Sequence, residues 1–302
     1  MERAVAARNA ERGSVAILAL WGAALIGILL LAAGFSSRSE LLIARNTLAL
    51  TRARLAAEAG TQLGLVRLLR RHRDPAVMFD GTPAVWRDGG ATVRIAIADE
   101  AGKLDINEAP AALLTGLLVA VGEPRDSALL LACNIVDRRG GVDPACPEGA
   151  GGNRPHRFAA PEELAQLPGF GDALYNRIAD CVTVATGASA IDPSVAPRAV
   201  LLALPGASES LVDSYLARRA TWHSVAGTDD LLKELPASPY LMASPRRDFT
   251  ISAMATTADG ARFRADLEIR LGELASQPYR VLAWREPPAD RGTLPASARR
   301  TP

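Results

Sequence analysis

No charged residue occurs between Val15 and Phe35. A helix over those positions would extend about 31 Å, close to the hydrocarbon thickness of a bilayer. Arg3, Arg8 and Arg12 precede the run, which keeps an N-terminus cytoplasmic and sends the remainder across a membrane. A cleaved signal has a shorter apolar core, roughly 7–15 residues ending at a small-x-small site, so that reading is the weaker one. Gly22, Gly27 and Gly34 lie inside the run, where small residues let helices approach closely. Beyond Phe35 the helical pattern continues. Leu41, Leu48, Leu55 and Leu69 fall on a seven-residue spacing with Arg38, Arg45, Arg52 and Arg54 between them, and no proline intervenes before Pro75. The pattern predicts an amphipathic helix from Ser36 to His72, continuous with the apolar run.

The period then changes to two. Val93, Ile95 and Ile97 alternate with Thr92, Arg94 and Ala96 after a turn at Asp88-Gly89-Gly90, the signature of a hairpin. Phe263, Ala265, Leu267, Ile269 and Leu271 make one face of a later strand, and Arg262, Arg264, Asp266, Glu268 and Arg270 make the other, behind a turn at Asp259-Gly260. Tyr279 to Glu286 is a further strand. These pieces predict one antiparallel sheet laid against the helix. From Glu286 onward, prolines and small polar residues predict a disordered tail.

Between the strand regions, residues 105–239 read as helical and contain a repeat. "LDINEAPAALL" (Leu104 to Leu114) matches "IDPSVAPRAVL" (Ile191 to Leu201). Asn107 and Ser194 are placed to cap helices whose first turns hold Pro110 and Pro197, where the missing proline donor is harmless. Leu167-Pro168-Gly169-Phe170-Gly171 resembles a helix-hairpin-helix turn, which in DNA-binding proteins holds a phosphate on exposed backbone N–H groups. Asp172 and Asp180 follow it, and Glu209 and Asp213 follow the similar Leu204-Pro205-Gly206. Acidic residues there compete with a phosphate for the same donors, which favours a structural hairpin.

Composition agrees. In 302 residues, 34 basic and 33 acidic side chains give a net charge of +1, and only 5% of residues are aromatic. Neither a nucleic-acid backbone partner nor a stacking platform fits that balance. Cys133, Cys146 and Cys181 lack the CxxC spacing of zinc sites and would leave one disulfide and one thiol in an oxidising compartment, with three pairings open. His72, His156 and His223 are far apart, as expected of surface or capping residues. The pairs Asp99-Glu100, Glu162-Glu163 and Asp229-Asp230 read as solvated element ends or helix starts. No catalytic constellation, phosphate loop or nucleotide fingerprint is visible, so the chain does not read as an enzyme.

A family resemblance gathers these features. The leader ending at Arg12-Gly13 resembles a prepilin-peptidase site, with cleavage after Gly13 and Ser14 as the new N-terminus. "RARLAAEAGTQLGLVRLL" (Arg52 to Leu69), both repeat copies and "PEELAQLPGFGDALYNRIADCVTV" resemble general secretion pathway protein K, the large minor pseudopilins of type II secretion. Most pilins carry a glutamate five residues into the mature chain. Leu18 stands there, and the protein K family resembles this sequence in lacking it. A charge in lipid is expensive, and a subunit with nothing above it can do without one.

The resemblance implies an α+β fold: a pilin-like N-terminal helix packed on an antiparallel sheet, with a large all-helical insert containing helix-hairpin-helix-like repeats. The expected divisions are a cytoplasmic leader (1–13), transmembrane and amphipathic helix (14–74), sheet domain (75–104 and 240–285), insert (105–239) and tail (286–302). It further implies a single pass through the inner membrane with the bulk periplasmic, and partnership with minor pseudopilins I and J and with prepilin peptidase. The work is capping and starting the pseudopilus, with Leu18, Leu41, Leu48 and Leu55 as candidate partner contacts. No nucleic acid is expected; the rival reading is a membrane-anchored DNA-binding protein. No cofactor is required. Calcium is the one candidate ion, with Asp137, Asp143 and Glu148 as candidate ligands. Arg138 and Arg139 stand where the family tends to be acidic, and local positive charge weakens such a site.

Overall fold

A computed structural model of the protein describes residues 2–71, 79–146, 156–221, 235, 238–274 and 276–289, with side chains left out at 2–18, 29–39, 88, 221, 238, 273 and 274. Helix α1 spans Glu2–Leu69. The chain divides into two units, residues 1–52 and 53–302. In the first, helix runs from Glu2 onward and passes Ser36 without a break. Among the described residues no helix is long and apolar enough to cross a membrane. The side chains of the predicted span lie largely outside the described residues; within it Leu20, Trp21, Leu25, Ile26 and Ile28 are exposed.

The second unit holds the end of α1, a sheet and a helical insert. Strands β1 (Ala84–Asp88), β2 (Ala91–Asp99), β5 (Asp248–Thr257), β6 (Arg262–Leu274) and β7 (Gln277–Arg285) form one antiparallel sheet in the order β1-β2-β5-β6-β7. The fold is α+β, as the sequence predicts. Gly89 and Gly90 take φ of 51° and 96° between β1 and β2, the left-handed pair that a two-residue hairpin requires. β2 pairs with β5 across the whole insert, Thr92 opposite Thr256 and Ile97 opposite Ile251.

One face of this sheet carries Val93, Ile95, Ile251, Ala253, Ala265, Leu267 and Ile269, packed against Ala57, Leu65 and Leu68 of α1. The helix approaches on small residues. A Cβ on Gly60 would lie 2.7 Å from Val93 Cγ1, and one on Gly64 would lie 2.5 Å from Ile251 Cγ2. The leucine stripe is therefore not the sheet-facing side: Leu55 is exposed and Leu69 is only partly covered. Arg54 closes the far edge by binding Glu286 at 2.8 Å and lying over the Phe263 ring. Glu286, where the sequence predicts a tail to begin, is thus tied down; residues 290–302 lie outside the described residues.

The insert has a separate core. It comprises α2 (Ala111–Ala120), α3 (Arg125–Arg138), α4 (Gly171–Ile178), α5 (Arg198–Leu202), α6 (Glu209–Thr221) and a two-residue parallel pairing of β3 (Leu104–Asp105) with β4 (Val182–Thr183). That pairing, with an isolated parallel bridge between Ile191 and Leu241, departs from the all-helical expectation. Leu113, Leu114, Leu117, Leu131, Ile135, Phe170, Val200, Leu201 and Tyr215 are among its buried residues.

The repeat in the sequence is a repeat in space. Asp105 accepts the Asn107 amide at 2.9 Å, and Asp192 accepts the Ser194 amide at 2.8 Å. The second oxygen of each holds a distant amide, Gly187 at 2.7 Å and Ser244 at 2.8 Å. Arg139 donates to the carbonyls of Ile106 and Ala109, and Arg219 to those of Pro193 and Ala196. These are the first and fourth residues after each aspartate. Gly116 and Ala203, each the eleventh residue after its aspartate, meet where α2 crosses α5: a Cβ on Gly116 would lie 2.2 Å from the Ala203 carbonyl oxygen.

The aspartates, not the predicted cap residues, organise each start. Pro110 and Pro197 occupy the N-cap positions without side-chain caps. Asn107 instead clamps the Phe158 backbone from both sides, and Ser194 Oγ has no hydrogen-bond partner among the described residues. An aspartate that closes a turn on its own backbone leaves the next polar side chain free for other work.

Gly64→Val should lower the free energy of unfolding by roughly 1–3 kcal/mol through overpacking against Ile251. Urea denaturation followed by circular dichroism reads this directly.

Candidate functional site

The second face of the sheet is polar and covered. The charged alternation on β6 reaches the surface at neither Arg264, Asp266 nor Glu268, all of them buried beneath the insert. Arg264 pairs with Asp266 at 2.9 Å within the sheet and with Asp180 of the insert at 3.1 Å. Arg285 binds Glu268 at 2.7 Å and lies 3.4 Å from Glu162 across the gap. Arg270 donates to the Ala185 carbonyl at 2.8 Å and to Asp248. Lys103 holds Glu100 at 2.5 Å. Arg264, Asp266, Glu268, Arg285, Lys103 and Glu100 line a cavity of about 170 Å³ between sheet and insert, with Tyr175, Thr250 and Ser252 also in its walls. Burial pushes the Glu268 carboxyl up, opposed by Arg285. Asp99 and Glu100, which the sequence places at a solvated element end, are 3% and 2% exposed. The correction has a simple cause: the end of β2 is roofed by the insert.

The glycine turn at Leu167–Gly171 buries Phe170 while Pro168, Gly169 and Gly171 stay exposed. Gly169 and Gly171 take positive φ, and a Cβ on Gly169 would lie 3.2 Å from Leu131 of α3. After the second turn, Asp213 forms a two-pronged pair with Arg198, fastening α6 to α5. The acidic residues that follow the two turns, Asp172, Asp180, Glu209 and Asp213, are all exposed.

Asp143 is engaged with the backbone. Its oxygens accept the amides of Ala111 at 2.8 Å and Ala145 at 3.0 Å, so it supplies the carboxylate at the start of α2. Asp137 sits near the end of α3, and Glu148 lies outside the described residues. Arg139 is the repeat's anchor rather than a loop residue, although Glu108, Asp105 and Asp143 lie near it. Among the described residues no group of three His, Cys, Asp or Glu is placed to hold a metal ion. The loop is pinned by a disulfide between Cys133 and Cys146, with Cα atoms 5.5 Å apart. Cys181 is free and buried, its thiol pushed up to about 12 by burial and by Asp180.

Of the remaining candidates, Gly13, Ser14 and Leu18 fall within α1 but their side chains lie outside the described residues. Leu41 and Leu48 of the first unit and Leu55 of the second are exposed. His156 is exposed, whereas His72, His223 and Asp229-Asp230 lie outside the described residues. Glu163 accepts the amides of Ala159 and Ala160, as expected of a helix start.

The architecture has a counterpart of known structure. A chain in the crystal structure of the GspK-GspI-GspJ complex from the enterotoxigenic Escherichia coli type 2 secretion system matches 81% of this chain and 99% of its own length. The TM-score is 0.50 at 14% sequence identity, a likeness of fold. No family model and no curated protein matches the sequence.

The buried network was missing from the sequence reading because alternation fixes which residues share a face but not what covers it. Arg264→Ala strands Asp266 and should destabilise the protein by about 3–5 kcal/mol, measured by urea unfolding. Oxidised native protein should react with no thiol reagent over minutes, and one thiol should titrate after denaturation without reductant, since a buried, protonated thiol is inert.

Proposed function

We propose that this chain is a minor pseudopilin of the protein K type, which caps and initiates a periplasmic pseudopilus and so supports export of folded proteins across the outer membrane. The reading rests chiefly on the shared fold with a chain of the GspK-GspI-GspJ complex, spanning nearly all of that chain. It is supported by the helix that enters the sheet and by an insert with its own core. In this reading the apolar run from Val15 anchors the subunit in the inner membrane. Prepilin peptidase trims it after Gly13. Pseudopilins I and J are its partners, and Leu18, Leu41, Leu48 and Leu55 contribute apolar contacts along the shared helical bundle. The work is binding and assembly rather than catalysis.

The rival DNA-binding reading predicts strongly salt-dependent duplex affinity. The exposed acidic side chains that follow both turns give it no support, and little duplex binding is expected at physiological salt. The decisive measurement is mass spectrometry of the N-terminus in cells with and without prepilin peptidase. A chain beginning at N-methylated Ser14 only when the peptidase is present is the expected result. An intact Met1, or cleavage beyond Phe35, would overturn the assignment.

A further inference from the structure

The chain crosses between sheet and insert twice, at Asp99–Leu104 and at Met242–Asp248, and the two crossings are stapled to one another. Ser244 Oγ lies 2.6 Å from Asp99 Oδ2, and the other Asp99 oxygen accepts the Ala101 amide at 3.0 Å. Ser244 also gives its amide to Asp192, whose own amide binds the Ala101 carbonyl at 2.7 Å. Gly102 fits flat against the second repeat, where a Cβ would lie 2.7 Å from the Val195 carbonyl oxygen. Arg246, in the second crossing, is the one described non-glycine residue with positive φ, at 51°, a conformation that persists only when its surroundings enforce it.

We propose that this joint is a pH-operated hinge, in which protonated Asp99 clasps the two crossings together and ionised Asp99 loosens them, so that the insert grips the sheet less firmly as pH rises.

Among the described residues Asp99 forms no ion pair with a cation. Beside it on its own segment, Glu100 is matched by Lys103. Asp192 faces it from the second repeat and adds like charge. From β6 and β7, Glu268 is matched by Arg285 and Asp266 by Arg264. Across the insert side, Asp180 takes Arg264 and Glu162 takes Arg285, while Asp80 lies 3.7 Å from Arg219. In this set Asp99 and Asp192 are held by hydroxyl and amide donors rather than by an ion pair. Burial pushes its carboxyl up to about 6, with Asp192 and Glu100 adding to the rise and Ser244 and Ala101 opposing it. A raised carboxyl favours the clasped state fully below its ordinary range near 4, and the advantage is lost as pH passes through about 6. Polar interfaces of this kind separate more readily than apolar ones, and the cavity already holds room beside the joint.

Hydrogen–deuterium exchange on the full-length protein at pH 5 and pH 8, corrected for intrinsic rates, tests the hinge. Protection of the Asp192 and Ser244 amides should fall by up to about a hundredfold between the two, while Ile95 and Ile251 in the β2–β5 ladder stay protected. Asp99→Asn should abolish that fall. Ser244→Ala should lower protection at the joint already at pH 5. Equal corrected protection in the unmodified protein at both pH values would overturn the proposal. So would an undiminished fall in Asp99→Asn, or a parallel fall in the ladder amides.

Discussion

Strand β6 has to serve two neighbours of opposite character. Its odd-numbered side, from Ala265 to Leu271, meets the apolar face of α1, and its even-numbered side, from Arg264 to Glu268, meets the insert. Both sides are buried, yet only one is dry. An antiparallel strand with one polar face ordinarily shows that face to water. Here the second layer is another folded body, and the charges that β6 carries beneath it have to be matched. The ion pairs of Arg264 and Arg285, the placement of Lys103 and the cavity itself follow from that single requirement. Removing one member of such a set is far more damaging than never having had the set.

The insert meets this polar floor with a scaffold built twice. In each copy an aspartate closes a turn, a proline starts a helix, a glycine turns the chain, and an arginine returns to the carbonyls beside the aspartate. The two arginines are buried to different degrees, but their geometry is the same. The copies touch at equivalent positions, so the small residue at Gly116 is fixed by the carbonyl of Ala203 rather than by helix propensity. One copy also supplies Asp192 to the crossing, which makes the repeat part of the joint.

Much of the fold was legible in the sequence, for physical reasons that differ by element. The hairpins were readable because alternation and paired glycines act locally, and Gly89, Gly90 and Gly260 all take the left-handed conformation their turns demand. The repeat was readable as spacing, although its mechanism was not. Asn107 looked like a cap, and only the position of Phe158, far along the chain, shows what it binds. The sheet-facing side of α1 was not legible, because the leucine spacing marks a helix face without saying what meets it, whereas close helix–sheet approach selects Ala57, Gly60 and Gly64. The polar interface left no local trace at all. Nothing near Asp99 in sequence announces that Ser244 will cover it.

The pairing of β2 with β5 carries a consequence for the order of events as the chain is made. β1 and β2 leave the ribosome early, yet the far edge of β2 has no hydrogen-bonding neighbour until Asp248–Thr257 has followed. The insert, by contrast, closes on contacts internal to itself. That topology predicts assembly from the middle outward, the intervening body closing before the two stretches born far apart are brought together.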